Sequence, residues 1–148
     1  MREGIGSIFL YNMMILFITI IFCFLAATVN YYKAFKVNSA ISKEIEEYEG
    51  YNLLSDAEIA QVLSNLGYRQ STSSTDCPKK DGEDALALYA ATSNYDICLY
   101  RFEESDYYYS YGIVTYMYFD LPVVGENFKI QIYAKTESIY DFANGKSA

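Results

Sequence analysis

The chain has 148 residues and a net charge of −8, and 52% of its residues are hydrophobic. An acidic chain repels phosphate backbones, so we expect no nucleic-acid partner. The absence of histidine removes the commonest general base, the Ser/His and Cys/His nucleophile pairs and the imidazole metal ligand, so we expect no catalytic residue, no cofactor and no metal site.

One uninterrupted apolar run, from Ile8 to Val29, dominates the sequence. None of its 22 residues is charged. As an α-helix it would be roughly 33 Å long, enough to cross the ~30 Å hydrocarbon core of a bilayer. We therefore predict a transmembrane helix over 8–29, preceded by a cytoplasmic leader over 1–7, and a single-pass protein of the cell membrane.

The same run has an alternative interpretation as a secretory signal peptide. Arg2 would supply the positive n-region, and cleavage after Thr28 would place Ala26 within the cleavage site. However, the run exceeds the usual apolar region of about 7 to 15 residues, and Leu25 stands where the site needs a small residue. A retained anchor is the favoured interpretation.

Helical periodicity continues past the apolar run as an amphipathic spine over 30–50. Apolar residues recur on one helix face at Ala34, Val37, Ile41, Ile45 and Tyr48. This pattern predicts one helix from about Ser7 to Glu49, with Gly50 as its C-cap.

The last turns of this predicted helix are rich in glutamate, which is unfavourable at the negative end of the helix dipole. The glutamates form either a solvated face or a set of partners for a neighbouring copy. In the second interpretation Lys33 and Lys36 of one copy meet Glu46 and Glu47 of another, displaced along the axis by roughly 15 to 20 Å. These four residues are the candidates for helix assembly.

The remainder, residues 51–140, is predicted to form a small α+β domain that begins with a short helix. Residues 55–58 (SDAE) match a capping box, and Gly67 ends the helix, which we expect to pack on the sheet. Residues 70–84 have the composition of a loop. The acidic cluster at 81–84 lacks EF-hand spacing, so an acidic turn is favoured over a calcium site.

Period-two alternation indicates strands in the last part of the chain. Leu86, Leu88 and Ala90 fit either a short strand or a helical turn. Strands are predicted over 95–102, 107–120 and 128–137, with hairpins at 104–106 and 121–126 and a flexible tail over 141–148. The core-facing side chains of the last strand are expected to be Phe128, Ile130, Ile132 and Ala134. The sheet would be an antiparallel meander of three to four strands.

Tyrosine and cysteine are the two notable residue types of this domain. Six tyrosines between residues 107 and 118 suit either a binding face or a half-buried sheet, and the sheet is favoured. Cys23 lies in the apolar run, where it acts as a small hydrophobe. Cys77 and Cys98 are the candidates for a disulfide worth about 3 kcal/mol, and two free thiols are the alternative.

The order of a glycine-containing leader, an apolar helix with an amphipathic extension and a small antiparallel sheet resembles type IV pilin-like proteins. At residues 2–7 and 116–139 the chain more closely resembles the TadE-like pseudopilins of tight-adherence systems in Gram-positive bacteria. The resemblance implies a pilin-like fold, a processing site at Gly4 or Gly6, and a surface filament used in adhesion or secretion. Pilins usually carry a glutamate just past the processing site, whereas residues 8–11 (IFLY) carry no acid.

The basic residues around the apolar run give opposing evidence on orientation. Lys33 and Lys36 follow the run and only Arg2 precedes it, which by the positive-inside rule favours a cytoplasmic C-terminal domain. The cysteine pair, the tyrosine- and serine-rich surface and the family resemblance favour the opposite side. We expect the C-terminal domain to be extracytoplasmic.

Three functions fit these observations. The leading one is a structural subunit, anchored in membrane lipid, that assembles through its helix with copies of itself or other pilin-like subunits. The first alternative is a single-pass accessory or binding protein that does not polymerise. The second is a membrane-tethered enzyme, which would need close ionisable groups such as Asp96 or Asp120 beside Arg101. We expect the protein not to be an enzyme.

Overall fold

The structure, a computed structural model, describes residues 2–71, 76–120 and 127–142. Two helices, α1 (Arg2–Glu47) and α2 (Leu53–Asn65), precede an antiparallel sheet. Its strands are β1 (Ile97–Ser105), β2 (Tyr108–Asp120), β3 (Asn127–Lys135) and β4 (Ile139–Tyr140). The predicted α+β class and order of elements are confirmed at this level. The hairpin predicted at 121–126 and the tail from residue 143 lie outside the described residues.

Helix α1 is unbroken over 46 residues, which makes it about 69 Å long at the standard rise. From Gly6 to Ala26 every side chain is exposed. By length and composition this helix could span a membrane. It begins at Arg2, earlier than the predicted Ser7, so the described part of the leader is helical rather than extended.

Helix α1 ends two residues before the predicted Glu49, because of its capping geometry. Glu49 adopts the left-handed conformation with φ of 52°, and the Gly50 amide donates to the Ile45 carbonyl at 2.8 Å. This is the Schellman arrangement, in which the left-handed residue is usually glycine. Gly50 therefore follows the cap position instead of occupying it.

The predicted apolar stripe of α1 is confirmed as the centre of the core. Val37, Ile41 and Ile45 are buried against residues from α2 and the sheet, including Ile59 and Ile113. Helix α2 turns back and packs chiefly alongside α1, whereas the sequence predicted packing on the sheet. The two helices therefore share one core with the sheet.

Helix α2 begins earlier than the capping pattern predicted. Asn52 is the N-cap, and its side chain accepts hydrogen bonds from the amides of Leu54 and Ser55. The Ser55 hydroxyl accepts in return from the Asn52 amide at 2.8 Å. Ser55 is therefore the third helical residue and not the cap, which turns Asp56 into the interior, where it is 3% exposed.

Strand β2 is the centre of the sheet, with β1 along one edge and β3 and β4 along the other. One face of the sheet packs on α1. Part of the other face is covered by a strap, residues 76–85, which packs on a second small core around Tyr100 and Tyr116. Cys77 and Cys98 come to disulfide-bonding distance, with Cα atoms 5.8 Å apart, and so fasten this strap to β1 as predicted.

Three expectations for the sheet need correction. Residues 86–89 form no strand, and the Leu86 amide donates a single bond to the Leu99 carbonyl of β1, whereas Ala90 lies in a helical turn that the Ser93 amide closes by donating to the Tyr89 carbonyl at 2.9 Å. Strand β1 begins at Ile97 rather than residue 95. Ile130 is 47% exposed, because β3 is an edge strand and the α1 contact with it centres on Ile132. The side chain of Phe128 lies outside the described part.

Asn38 is a polar residue within the apolar face of α1, and it is 1% exposed. Its Nδ2 atom donates to the carbonyls of Ile113 and Ile132, both at 3.2 Å, and to the Thr115 hydroxyl at 3.3 Å. These acceptors lie on two neighbouring strands. Asn38 therefore fixes both the height and the rotation of α1 on the sheet.

We expect Asn38→Ala to lower the free energy of unfolding by about 1 to 3 kcal/mol, because buried acceptors on β2 and β3 lose their donor. Chemical denaturation of the detergent-solubilised full chain measures this. Ser39→Ala, at the neighbouring exposed position, is the control and should leave stability unchanged. Equal stability of the two variants would contradict the anchoring role of Asn38.

We also expect the double substitution Cys77→Ser, Cys98→Ser to lower stability by about 3 kcal/mol, because the cross-link restricts the unfolded chain over a separation of 21 residues. The same denaturation experiment, with and without reductant, measures the loss. Cys23→Ser is the control because Cys23 is exposed and unbonded. A wild-type protein unaffected by reductant would show that the strap is held without the disulfide.

Candidate functional site

The apolar surface of α1, residues 8–29, is the largest exposed feature of the described chain. Its large hydrophobic side chains are between 43% and 72% exposed, and they point in all directions around the helix. A helix that is apolar on every side cannot remain in water and must be covered by lipid or by other helices. This surface is therefore the primary candidate for interaction.

The threonine hydroxyl groups within this surface are satisfied by the helix itself. Thr19 donates to the Ile15 carbonyl and Thr28 to the Phe24 carbonyl, each at 2.9 Å. Such internal bonds remove the cost of placing a free hydroxyl in hydrocarbon. The two threonines are therefore compatible with a lipid environment.

The four assembly candidates differ in their surroundings. Lys33, Lys36 and Glu47 are exposed and have no ion-pair partner within the described ranges. The Glu46 carboxylate instead accepts a hydrogen bond from the Glu137 amide at 3.0 Å, so it ties α1 to the segment between β3 and β4. Lys36 and Glu47 lie on the same outer side of α1, roughly 17 Å apart along the axis and within ~20° of rotation.

The processing candidates Gly4 and Gly6 both lie within α1. A Cβ atom built at Gly6 meets nothing within 4 Å. Packing inside the chain therefore gives no reason for a glycine at this position.

Of the ionisable groups suggested for an enzyme, Asp96 and Arg101 each pair with another residue. Asp96 pairs with Lys129 at 3.1 Å, and Arg101 pairs with Asp141 at 3.3 Å. The side chain of Asp120 lies outside the described residues. Asp96 and Arg101 thus form separate structural ion pairs rather than one reactive pair.

The acidic cluster at 81–84 forms a tight turn. Asp81 and Gly82 have φ of 50° and 90°, and Asp84 pairs with Lys79 at 2.9 Å on the exposed surface. Within the described ranges no group of three or more cysteine, aspartate and glutamate side chains could hold a metal ion.

A buried carboxylate, which the sequence did not reveal, joins α2 to the segment before β1. Asp56 accepts hydrogen bonds from the Tyr51 hydroxyl at 3.0 Å, the Thr92 amide at 3.2 Å and the Ala91 amide at 3.0 Å. Burial raises the pKa of Tyr51 to about 12, so this phenol stays protonated and acts as a donor. Both carboxylate oxygens of Asp56 accept hydrogen bonds, so this residue serves as a structural link between α2 and the segment before β1.

The six tyrosines between residues 107 and 118 divide between the two roles that the sequence left open, a binding face and a half-buried sheet. Tyr111 and Tyr116 are buried, and Tyr109 and Tyr118 are half-buried against the two faces of the sheet. Tyr107 and Tyr108 are exposed, at the end farthest from the apolar surface of α1. Filling the sheet accounts for most of the band.

Glu104 is an acid whose pKa is strongly shifted by the groups around it. It accepts from Lys135 at 2.7 Å, from the Ser138 hydroxyl and from the Ser110 hydroxyl at 3.0 Å. These donors, Lys135 first, lower its pKa to about 2. The carboxylate links β1 to β2, β3 and the segment before β4, and it is too acidic for general acid chemistry at neutral pH.

No protein-family model, no curated protein and no solved structure matches this chain. The chain's own surfaces, above all that of α1, are therefore the guide to its function.

We expect acid to destabilise the wild-type domain through Glu104. Its pKa is lower in the folded than in the unfolded state, so its contribution is complete above about pH 5 and is lost as the pH falls towards 2. In chemical denaturation across this pH range, the free energy of unfolding should fall less steeply with decreasing pH in Glu104→Gln than in wild type. Glu103→Gln, at an adjacent exposed carboxylate, is the control and should follow wild type. Parallel curves for all three proteins would contradict the assignment.

Proposed function

We propose that this chain is a pilin-like structural subunit of the cell membrane, with its sheet domain outside the cell, in adhesion or secretion. The observation that carries the proposal is the continuity of α1, whose first half is apolar and exposed while its second half is built into the core. Processing after Gly4 or Gly6 belongs to the same proposal. The function is packing and not catalysis.

Assembly follows from the physical properties of the apolar surface. When such a helix leaves the bilayer, side-by-side packing with other apolar helices keeps its surface away from water. Neighbours displaced along the axis make heterologous contacts, and contacts that do not close generate helical polymers. The sheet domain moves together with the anchor as one rigid unit, because α1 has no break between them.

Charge pairs between neighbours supply the register in this proposal. A neighbour displaced by roughly 17 Å along the axis brings Lys36 of one copy beside Glu47 of the next. Glu46 is the weaker candidate, because it already accepts a bond from the Glu137 amide. Lys33 is turned away from Lys36 by about 60°, and it lies beside the sheet.

The alternative is a single-pass accessory protein that remains in the bilayer and does not polymerise. Two observations favour it: residues 8–11 carry no acid for pairing inside a filament, and Glu46 is engaged within its own chain. Both functions require the membrane anchor. They differ in whether the subunit leaves the bilayer in a polymer or remains there.

The experiment compares surface material sheared from cells that express each variant. We expect wild-type subunits in long sheared polymers, a loss of at least about tenfold with Lys36→Glu because like charges then face each other, and recovery when Glu47→Lys is added. Lys79→Glu makes the same charge change on the exposed strap, away from α1, so it should assemble normally. Immunoblots and electron microscopy of the sheared fraction measure all four.

Wild-type protein that remains entirely in the membrane fraction would overturn assembly in favour of the accessory protein. Normal polymers from Lys36→Glu, or no recovery in the double variant, would overturn the pairing of Lys36 with Glu47.

A further inference from the structure

A groove of about 290 Å³ lies beside α1 just past its apolar run. Helix α1 contributes Asn30 and Lys33, the turn after α2 contributes Arg69, and β2 contributes Tyr116 and Tyr118. We propose that this groove binds the phosphate headgroup of an anionic phospholipid. The proposal rests on the membrane-anchor part of the proposed function and is independent of polymerisation.

The height of the groove along α1 suits a lipid headgroup. Lys33 follows Val29, the last residue of the apolar run, by one helical turn, or ~6 Å along the axis. The headgroup layer on each side of a bilayer is ~5 to 7 Å thick. Exposed Tyr31 and Tyr32 lie at the same level, where tyrosines prefer the membrane interface. An inserted chain therefore holds the groove among lipid headgroups.

The charge of the groove suits an anionic headgroup. Lys33 and Arg69 are both exposed, and neither has an ion-pair partner among the described residues. No carboxylate is among the described residues that line the groove. The groove therefore presents two cations from two separate segments that form no ion pair within the described residues, while Asp96 and Asp76 act electrostatically on Tyr116 in its lining.

The position of Arg69 suits the binding of phosphate oxygens. Its guanidinium lies over the Tyr118 ring, 4.9 Å from the centroid. Stacking on an aromatic face leaves the edge of a guanidinium free to donate, and paired edge donors suit the oxygens of a phosphate. Lys129 is different, since it lies over Tyr116 and its charge is balanced by Asp96. Arg69 and Lys33 are therefore the two binding cations.

A lipid phosphate is favoured over a soluble phosphate because of this location at the bilayer surface. The proposal also gives Lys33 a reason to follow the apolar run in an extracytoplasmic domain. A basic residue there would disagree with the positive-inside rule unless it served another purpose.

The test uses the full chain in vesicles of phosphatidylcholine alone or with a minor share of phosphatidylglycerol. We expect native mass spectrometry to show phosphatidylglycerol enriched on the wild-type protein. Each cation removed should lower this enrichment roughly fivefold, and the double variant Lys33→Gln, Arg69→Gln removes both. The control is the double variant Lys43→Gln, Lys79→Gln. It removes the same total charge outside the groove and should keep the enrichment.

Equal enrichment on both double variants would overturn the site. Flotation with phosphatidylcholine vesicles tests insertion separately, and a chain that fails to float would overturn the anchor together with the site. Thermal stabilisation by inorganic phosphate that depends on Lys33 and Arg69, without phosphatidylglycerol enrichment, would overturn the lipid in favour of a soluble anion.

Discussion

Packing of the α1 stripe on the sheet is the interaction on which the rest of the structure depends. Val37, Ile41 and Ile45 bury one face of a helix whose preceding turns are apolar on every side. Because the helix has no break between these regions, the rotation that packs the core also decides which side of the apolar run faces a given neighbour. The anchor and the domain are therefore one rigid unit.

A domain this small has little core, and its polar contacts compensate for that. Asn38 bonds α1 to two strands, Asp56 bonds α2 to the segment before β1, and Glu104 joins the strands at the far end. The strap fastened by Cys77 and Cys98 covers part of the remaining sheet face. Each contact fixes a geometry that apolar packing alone leaves adjustable, since hydrophobic burial has no direction.

Local periodicity was sufficient to predict the elements but not their ends or their partners. The period of 3.6 located the α1 stripe, and alternation located β1 to β3 to within a few residues. The ends depended on caps: a left-handed Glu49 and an Asn52 N-cap are compatible with the sequence but not demanded by it. Asn38 was missed because one asparagine within an apolar stripe gives no signal until its acceptors on the strands are known.

The candidate site shows the same limit. Lys33 was recognisable as a basic residue next to an apolar run, whereas Arg69 lies 36 positions away in a loop and has no local pattern. Only the return of α2 alongside α1 brings the turn after α2 to the level of Lys33. In the same way, loop composition at 76–85 gave no sign of a strap, and the cysteine spacing was its only signal.

The distribution of charge along α1 connects the two proposals. Lys33 and Lys36 lie just past the apolar run, and Glu44, Glu46 and Glu47 lie near the end of the same helix. At physiological salt the Debye length is ~8 Å, so these groups act only on what they nearly touch. In the two proposals the basic zone acts on headgroups while the chain is in the bilayer, and an axial displacement of neighbours brings the same zone against glutamates when lipid is left behind. In either environment burial of the apolar surface supplies the driving force. The charged groups then determine the axial position of α1 relative to the headgroups or to a neighbouring helix.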